Sequence, residues 1–134
     1  MRFPTILLWA GTLGFLAVGL AFLLWPIPMG QLVDIPIATP TARADFAATY
    51  GGFEIGFGLF LSICARRTGA IRTGLVALGL ALAGFALGRT HGIVFSGGSP
   101  RPIIYWVLAL EAAGAILSFA ALWHLNRSSP PAES

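Results

Sequence analysis

The chain has 134 residues, of which 57% are hydrophobic and only 10% charged. A soluble domain carries about 25% charged residues, so too few charges are present to coat a water-facing surface, and most of the chain must face lipid. The net charge of +3 comes from eight arginines with no lysine. They are scattered among apolar runs and build no basic face, which argues against nucleic-acid binding.

The first predicted element runs from about Thr5 to Trp25 without a charge. It has about 20 residues, enough to span about 30 Å of hydrocarbon. Trp9 and Trp25 lie near its ends, as interfacial aromatics do, and Pro26 and Pro28 stop it. Ala42-Arg43-Ala44 resembles a signal-peptide cleavage site, but the apolar run is too long and the site too far along. Residues 26–45 carry Pro26, Pro28, Pro36 and Pro40, which predicts an extended, non-helical loop. Its apolar residues, among them Ile27, Met29, Val33 and Ile37, predict that it lies on the bundle mouth. Thr39-Pro40 reads as a helix start, with Thr as cap and Pro in the first turn.

The second spanning helix is predicted over 40–65, ended by Arg66 and Arg67. A third covers about 70–95. Ser96-Gly97-Gly98-Ser99-Pro100-Arg101-Pro102 is a turn, and a fourth helix covers about 103–125. Residues 126–134 read as a short, disordered cytoplasmic tail. The expected fold class is all-α: a polytopic membrane protein with four transmembrane helices in one bundle over residues 1–125.

Arginine placement predicts orientation. Arg2, Arg66, Arg67, Arg72 and Arg127 fall on one side, and Arg43 and Arg101 on the other. In short loops this bias places both termini and the 66–72 turn on the cytoplasmic side of the membrane. Gly84, Gly88 and Gly92 recur every four residues, as do Gly52 and Gly56; such faces are read as helix-packing surfaces. The lone Cys64 is read as a small buried hydrophobe. No metal-ligand spacing, nucleophile motif or nucleotide loop is present, so neither metal nor cofactor is expected.

Five side chains inside the spans need a reason to be there: Tyr50, Glu54, Arg89, His91 and Glu111. A charge at the bilayer centre costs about 2.5–3.5 kcal/mol on insertion scales, so these residues must face the interior and pair, or line water. Helical rise puts Glu54 and Glu111 each roughly 12 Å from the outer end of their helices, and Arg89 roughly 9 Å. One arginine therefore falls beside two glutamates. Arg43, Tyr50 and Glu54, at i, i+7 and i+11, share a helical face, with Tyr50 placed to hydrogen-bond Glu54. Arg89 and Gly92 share a face of the third helix. His91 lies at the outer mouth, and His124 beside Trp123 at the inner interface. The cluster reads either as an ion-pair scaffold that sets helix register or as a ligand or proton site.

At these residues the chain resembles the small bacterial four-helix membrane proteins grouped as domain of unknown function family 4345, similar in build to the broader DoxX-like proteins. The resemblance rests on Arg43, on Tyr50-Gly51-Gly52-x-Glu54 with Gly56 and Gly58, on Gly88-Arg89 leading to the Gly97-Gly98 turn and Pro100, and on Glu111. It covers about residues 5–125 and departs at Ser96, where the family pattern has an acidic residue. It implies the fold and the polar residues, and no activity.

The function that follows is binding of a small lipid-like or amphipathic molecule at the buried Glu/Arg/Tyr cluster. Alternatives are an assembly subunit of a membrane complex, held to a membrane partner or to further copies of itself through its glycine faces, a membrane isomerase or oxidoreductase using the titratable groups, and a proton-coupled exporter.

Overall fold

A computed structural model describes residues 2–127, all in helices and short connections. The elements are α1 (Phe3–Leu24), α2 (Pro26–Leu32), α3 (Pro40–Phe46), a π-helical stretch (Ala47–Gly52), α4 (Phe53–Arg66), α5 (Ile71–Phe95) and α6 (Pro102–Arg127). Four stretches are long and apolar enough to cross a membrane: Phe3–Leu24, Pro40–Arg66, Thr68–Phe95 and Pro102–Arg127. The chain is a four-helix membrane protein. Helix α6 continues through Arg127, past the residue 126 at which the tail was expected to start; residues 128–134 lie outside the described residues.

The loop after α1 is not wholly extended. Pro26 and Pro28 both fall in the first turn of α2, where backbone N–H groups have no helical partner and proline costs no hydrogen bond. The first helical bond there runs from Met29 N–H to the Trp25 carbonyl at 3.1 Å. This short helix ends in a Schellman turn: Ile35 N–H donates to Gly30 at 2.8 Å and Asp34 N–H to Gln31 at 3.4 Å. Asp34 takes the left-handed position, φ +57°, which glycine usually fills. At the start of α3, the Thr39 hydroxyl accepts from Ala42 N–H at 3.1 Å, the expected cap.

Helix α1 packs along α4, and α5 along α6. The close-packed core lies toward the connection between α4 and α5, where Leu8, Phe15, Leu61, Cys64, Leu75, Leu78 and Ala121 interlock. Arginines finish that end. Arg72 donates to the Asn126 side chain at 2.7 Å and the Leu125 carbonyl at 3.2 Å, tying α5 to α6. Arg66 lies over Trp9 and Arg127 over Trp123, a cation–π arrangement. Ser62, Thr90 and Ser118 donate back to carbonyls of their own helices, and the buried Thr12 hydroxyl finds no partner among the described residues.

Lipid is as apolar as a core side chain, so close backbone approach holds these helices together. The glycines that provide it differ from those singled out in the sequence. A methyl group on Gly19 would stand 2.9 Å from the Gly51 carbonyl oxygen and 2.9 Å from Glu54 Cβ. Gly51, Gly58 and Gly74 similarly admit Leu23, Leu16 and the Cys64–Leu8 pair. Gly56, Gly84, Gly88 and Gly92 meet nothing within 4 Å, and Gly52 only a carbonyl of its own segment at 3.9 Å. Four-residue spacing finds a glycine face, but which face turns inward depends on the positions of the neighbouring helices.

Candidate functional site

The half of the bundle near α2 and the α5–α6 turn carries the polar interior. Gly97 turns the chain there at φ +67°, and α6 starts at Pro102, whose fixed φ suits a first helical position. This brings Arg89, near the end of α5, against Glu111 on α6. The two form a fork: Arg89 Nε donates to Glu111 Oε2 at 2.9 Å, and Nη2 to Oε1 at 2.7 Å. Glu111 is buried, and the Arg89 side chain retains 27% of its exposure. Bidentate arginine–carboxylate pairs are the strongest ion-pair geometry available to side chains.

Glu54 is also buried, beside Gly19 of α1. It lies within electrostatic reach of Glu111 but makes no hydrogen bond or ion pair to another described residue. The expectation of one arginine between two glutamates therefore resolves into a direct pair, Arg89–Glu111, with Glu54 a neighbour.

The hydrogen bond expected between Tyr50 and Glu54 does not form, although both meet α1, Tyr50 at Phe22 and Glu54 at Gly19. Between Ala47 and Gly52 the backbone bonds run i to i+5, ending with Phe53 N–H on the Ala48 carbonyl. This wider turn shifts the register between residues before and after it. Tyr50 stacks on Phe22 and Phe46, with ring centroids 5.5 and 4.8 Å away, and gives Glu54 no hydrogen bond. Arg43 is exposed on α3. His91 is exposed, with its ring 4.6 Å from Phe95. Neither joins the cluster.

Gly92 shares the face of Arg89, as expected, but no neighbouring backbone fills the space it leaves. A cavity of about 370 Å³ occupies it, lined by Arg89, Gly92, Ser96, Arg101, Asp34 and the apolar Val33, Ile93 and Ile104, among others. Only two of the Arg89 nitrogens are engaged by Glu111; Nη1 donates to no side chain or carbonyl among the described residues. At the lip stands a second fork: Arg101 Nε donates to Asp34 Oδ2 at 2.7 Å, and Nη2 lies 2.7 Å from Oδ1. Sequence reasoning missed this pair as part of the site. Asp34 is the sole acidic residue between α1 and α3, and Arg101 stands in the other connection at the same end; that complementarity was visible. The turn that aims Asp34 was not, because it uses aspartate where glycine would have marked it. Ser96 lines the same cavity, so the carboxylate at this mouth comes from Asp34.

Fold and site together define a class, a small four-helix membrane bundle with a forked arginine–glutamate pair beneath a cavity at one membrane interface. The chain belongs to the family described as domain of unknown function (DUF4345), whose model matches residues 3–122. No curated protein and no solved structure matches it.

Proposed function

We propose that the protein binds a small lipid-like or amphipathic molecule, with the polar end of that molecule at the Glu54–Arg89–Glu111 cluster and Tyr50 at its edge. The observation that carries this reading is the cavity lined by Arg89, a partly buried guanidinium that uses only Nε and Nη2 among the described residues. A pure register-setting ion pair gains nothing from adjoining empty space. A binding site needs apolar walls with a few convergent polar groups, and Val33, Ile93 and Ile104 beside Arg89 and Arg101 supply both. Native mass spectrometry of the purified protein, coupled to lipid extraction, tests this. The expected result is a stoichiometric small-molecule adduct; a chain carrying only detergent and a broad mix of bulk lipid contradicts it. A second reading, an assembly subunit, draws on Gly84, Gly88 and Gly92, which no other helix of the chain covers. Such a subunit is unstable when expressed alone, whereas a self-sufficient binder is not.

The protein sits in a bacterial cytoplasmic membrane with both termini inside. Arg2, Arg66, Arg67, Arg72 and Arg127 gather at one end, against Arg43 and Arg101 at the other, and short basic connections stay cytoplasmic. The cavity then opens at the outer interface. Cysteine labelling checks the orientation against a low background, since Cys64 is buried. In intact cells an impermeant thiol reagent should label Ser99→Cys and spare Arg67→Cys; the reverse pattern overturns the orientation.

A further inference from the structure

We infer that the molecule taken up by the cavity carries an oxyanion on an apolar chain, and that Asp34 occupies Arg101 in the place of that oxyanion until it arrives. The inference rests on the binding reading above and specifies its chemistry. Both cations of the cavity are arginines, whose planar forks match an oxyanion with two available oxygens. Arg89 retains free Nη1 donors, and Arg101 spends its fork on Asp34. The start of α6, positive through its aligned peptides, adjoins the same space through Arg101 and Ile104. An alcohol brings no charge to an arginine fork, and an ammonium has no lone pair to accept from one.

Asp34 behaves as an internal substitute. It stands at a left-handed position, φ +57°, which aspartate tolerates better than most residues. From that turn its carboxylate holds the Arg101 fork. The pair is exposed on both sides, 54% and 60%. Exposed pairs are weak, so a competing anion displaces the carboxylate into water at little cost. The pair also borders a second hollow, with Gln31, Ile35 and Pro36 on its far side. Releasing Arg101 therefore unties α6 from the connection after α2 at the mouth of the cavity.

The test is saturation binding of radiolabelled oleate to the full chain in lipid nanodiscs, with oleyl alcohol, oleylamine and inorganic phosphate as competitors. Oleate should bind once per chain. Charge-assisted forks are roughly twice as strong as neutral hydrogen bonds, so the alcohol and the amine should compete at least about tenfold less well. Phosphate without a chain should not compete at all; if it does, the site takes a free anion and the apolar-chain half of the inference fails. Arg101→Gln should weaken oleate about tenfold, the loss of one charged fork. Asp34→Asn, which tolerates the left-handed turn, should tighten it about two- to fivefold by removing a weak competitor. In the Asp34→Asn/Arg101→Gln double variant that gain should vanish. Oleate binding that is unchanged or weakened by Asp34→Asn overturns the inference. So does a parent that keeps its native adduct while oleate fails to compete, an outcome that leaves the binding reading standing. If neither an adduct nor oleate binds, both fall.

Discussion

Arg89→Leu lowers the stability of the folded bundle by about 3–5 kcal/mol, because it leaves Glu111 as a buried carboxylate without its partner. Glu111 is 8% exposed and takes both its hydrogen bonds from Arg89, so no other group takes over. The Arg89→Leu/Glu111→Leu double variant should recover most of that loss, since no charge of the pair remains to desolvate. Arg89→Lys should fall between parent and single variant, because an ammonium keeps the charge and gives up the fork. Reversible unfolding in mild detergent measures all three. A double variant as unstable as the single one shows that the side chains are held by packing, and that the ion pair contributes nothing separable.

Gly19→Ala should be a strongly damaging addition of a single methyl to the bundle. The new Cβ stands 2.9 Å from the Gly51 carbonyl oxygen, 2.9 Å from Glu54 Cβ and 2.9 Å from Ile55 Cγ1. One of these is backbone and another a side-chain root, so neither swings aside, and α1 must move away from α4. Overpacking of this kind costs about 1–3 kcal/mol. Gly88→Ala is the control: its methyl meets nothing within 4 Å, and the isolated protein should unfold as the parent does. Equal losses at Gly19 and Gly88 would mean that α5 is covered in the folded protein and that the packing described for α1 and α4 is incomplete.

The two glycines mark how far the sequence could be read. The spanning helices were legible because length and apolarity decide them alone: uncharged runs such as that ending at Trp25 have no other stable solution in lipid. Arg89 and Glu111 were legible for the same reason, since charge at that depth must be paired. Their common level followed from helical rise, without knowledge of packing. Helix rotation was less accessible. The π-helical stretch at Ala47–Gly52 inserts a wider turn with no residue that demands it, and it shifts the register between Arg43 and Glu54. The prolines of the first connection misled because their effect depends on helix position: Pro26 and Pro28 start α2 instead of preventing it. Asp34 escaped notice because its role depends on a backbone conformation that the residue type does not announce.

The polar interior itself is tested most directly by removing it whole. In Glu54→Leu/Arg89→Leu/Glu111→Leu no charge of the cluster is left buried, so the bundle should fold with a thermal stability close to that of the parent. Native mass spectrometry of parent and triple variant, purified side by side, then decides what the cluster does. The account predicts a stoichiometric small-molecule adduct on the parent and none on the folded triple variant. A triple variant that folds and carries the same adduct as the parent would contradict it, and would reduce Glu54, Arg89 and Glu111 to charges that hold helices in register.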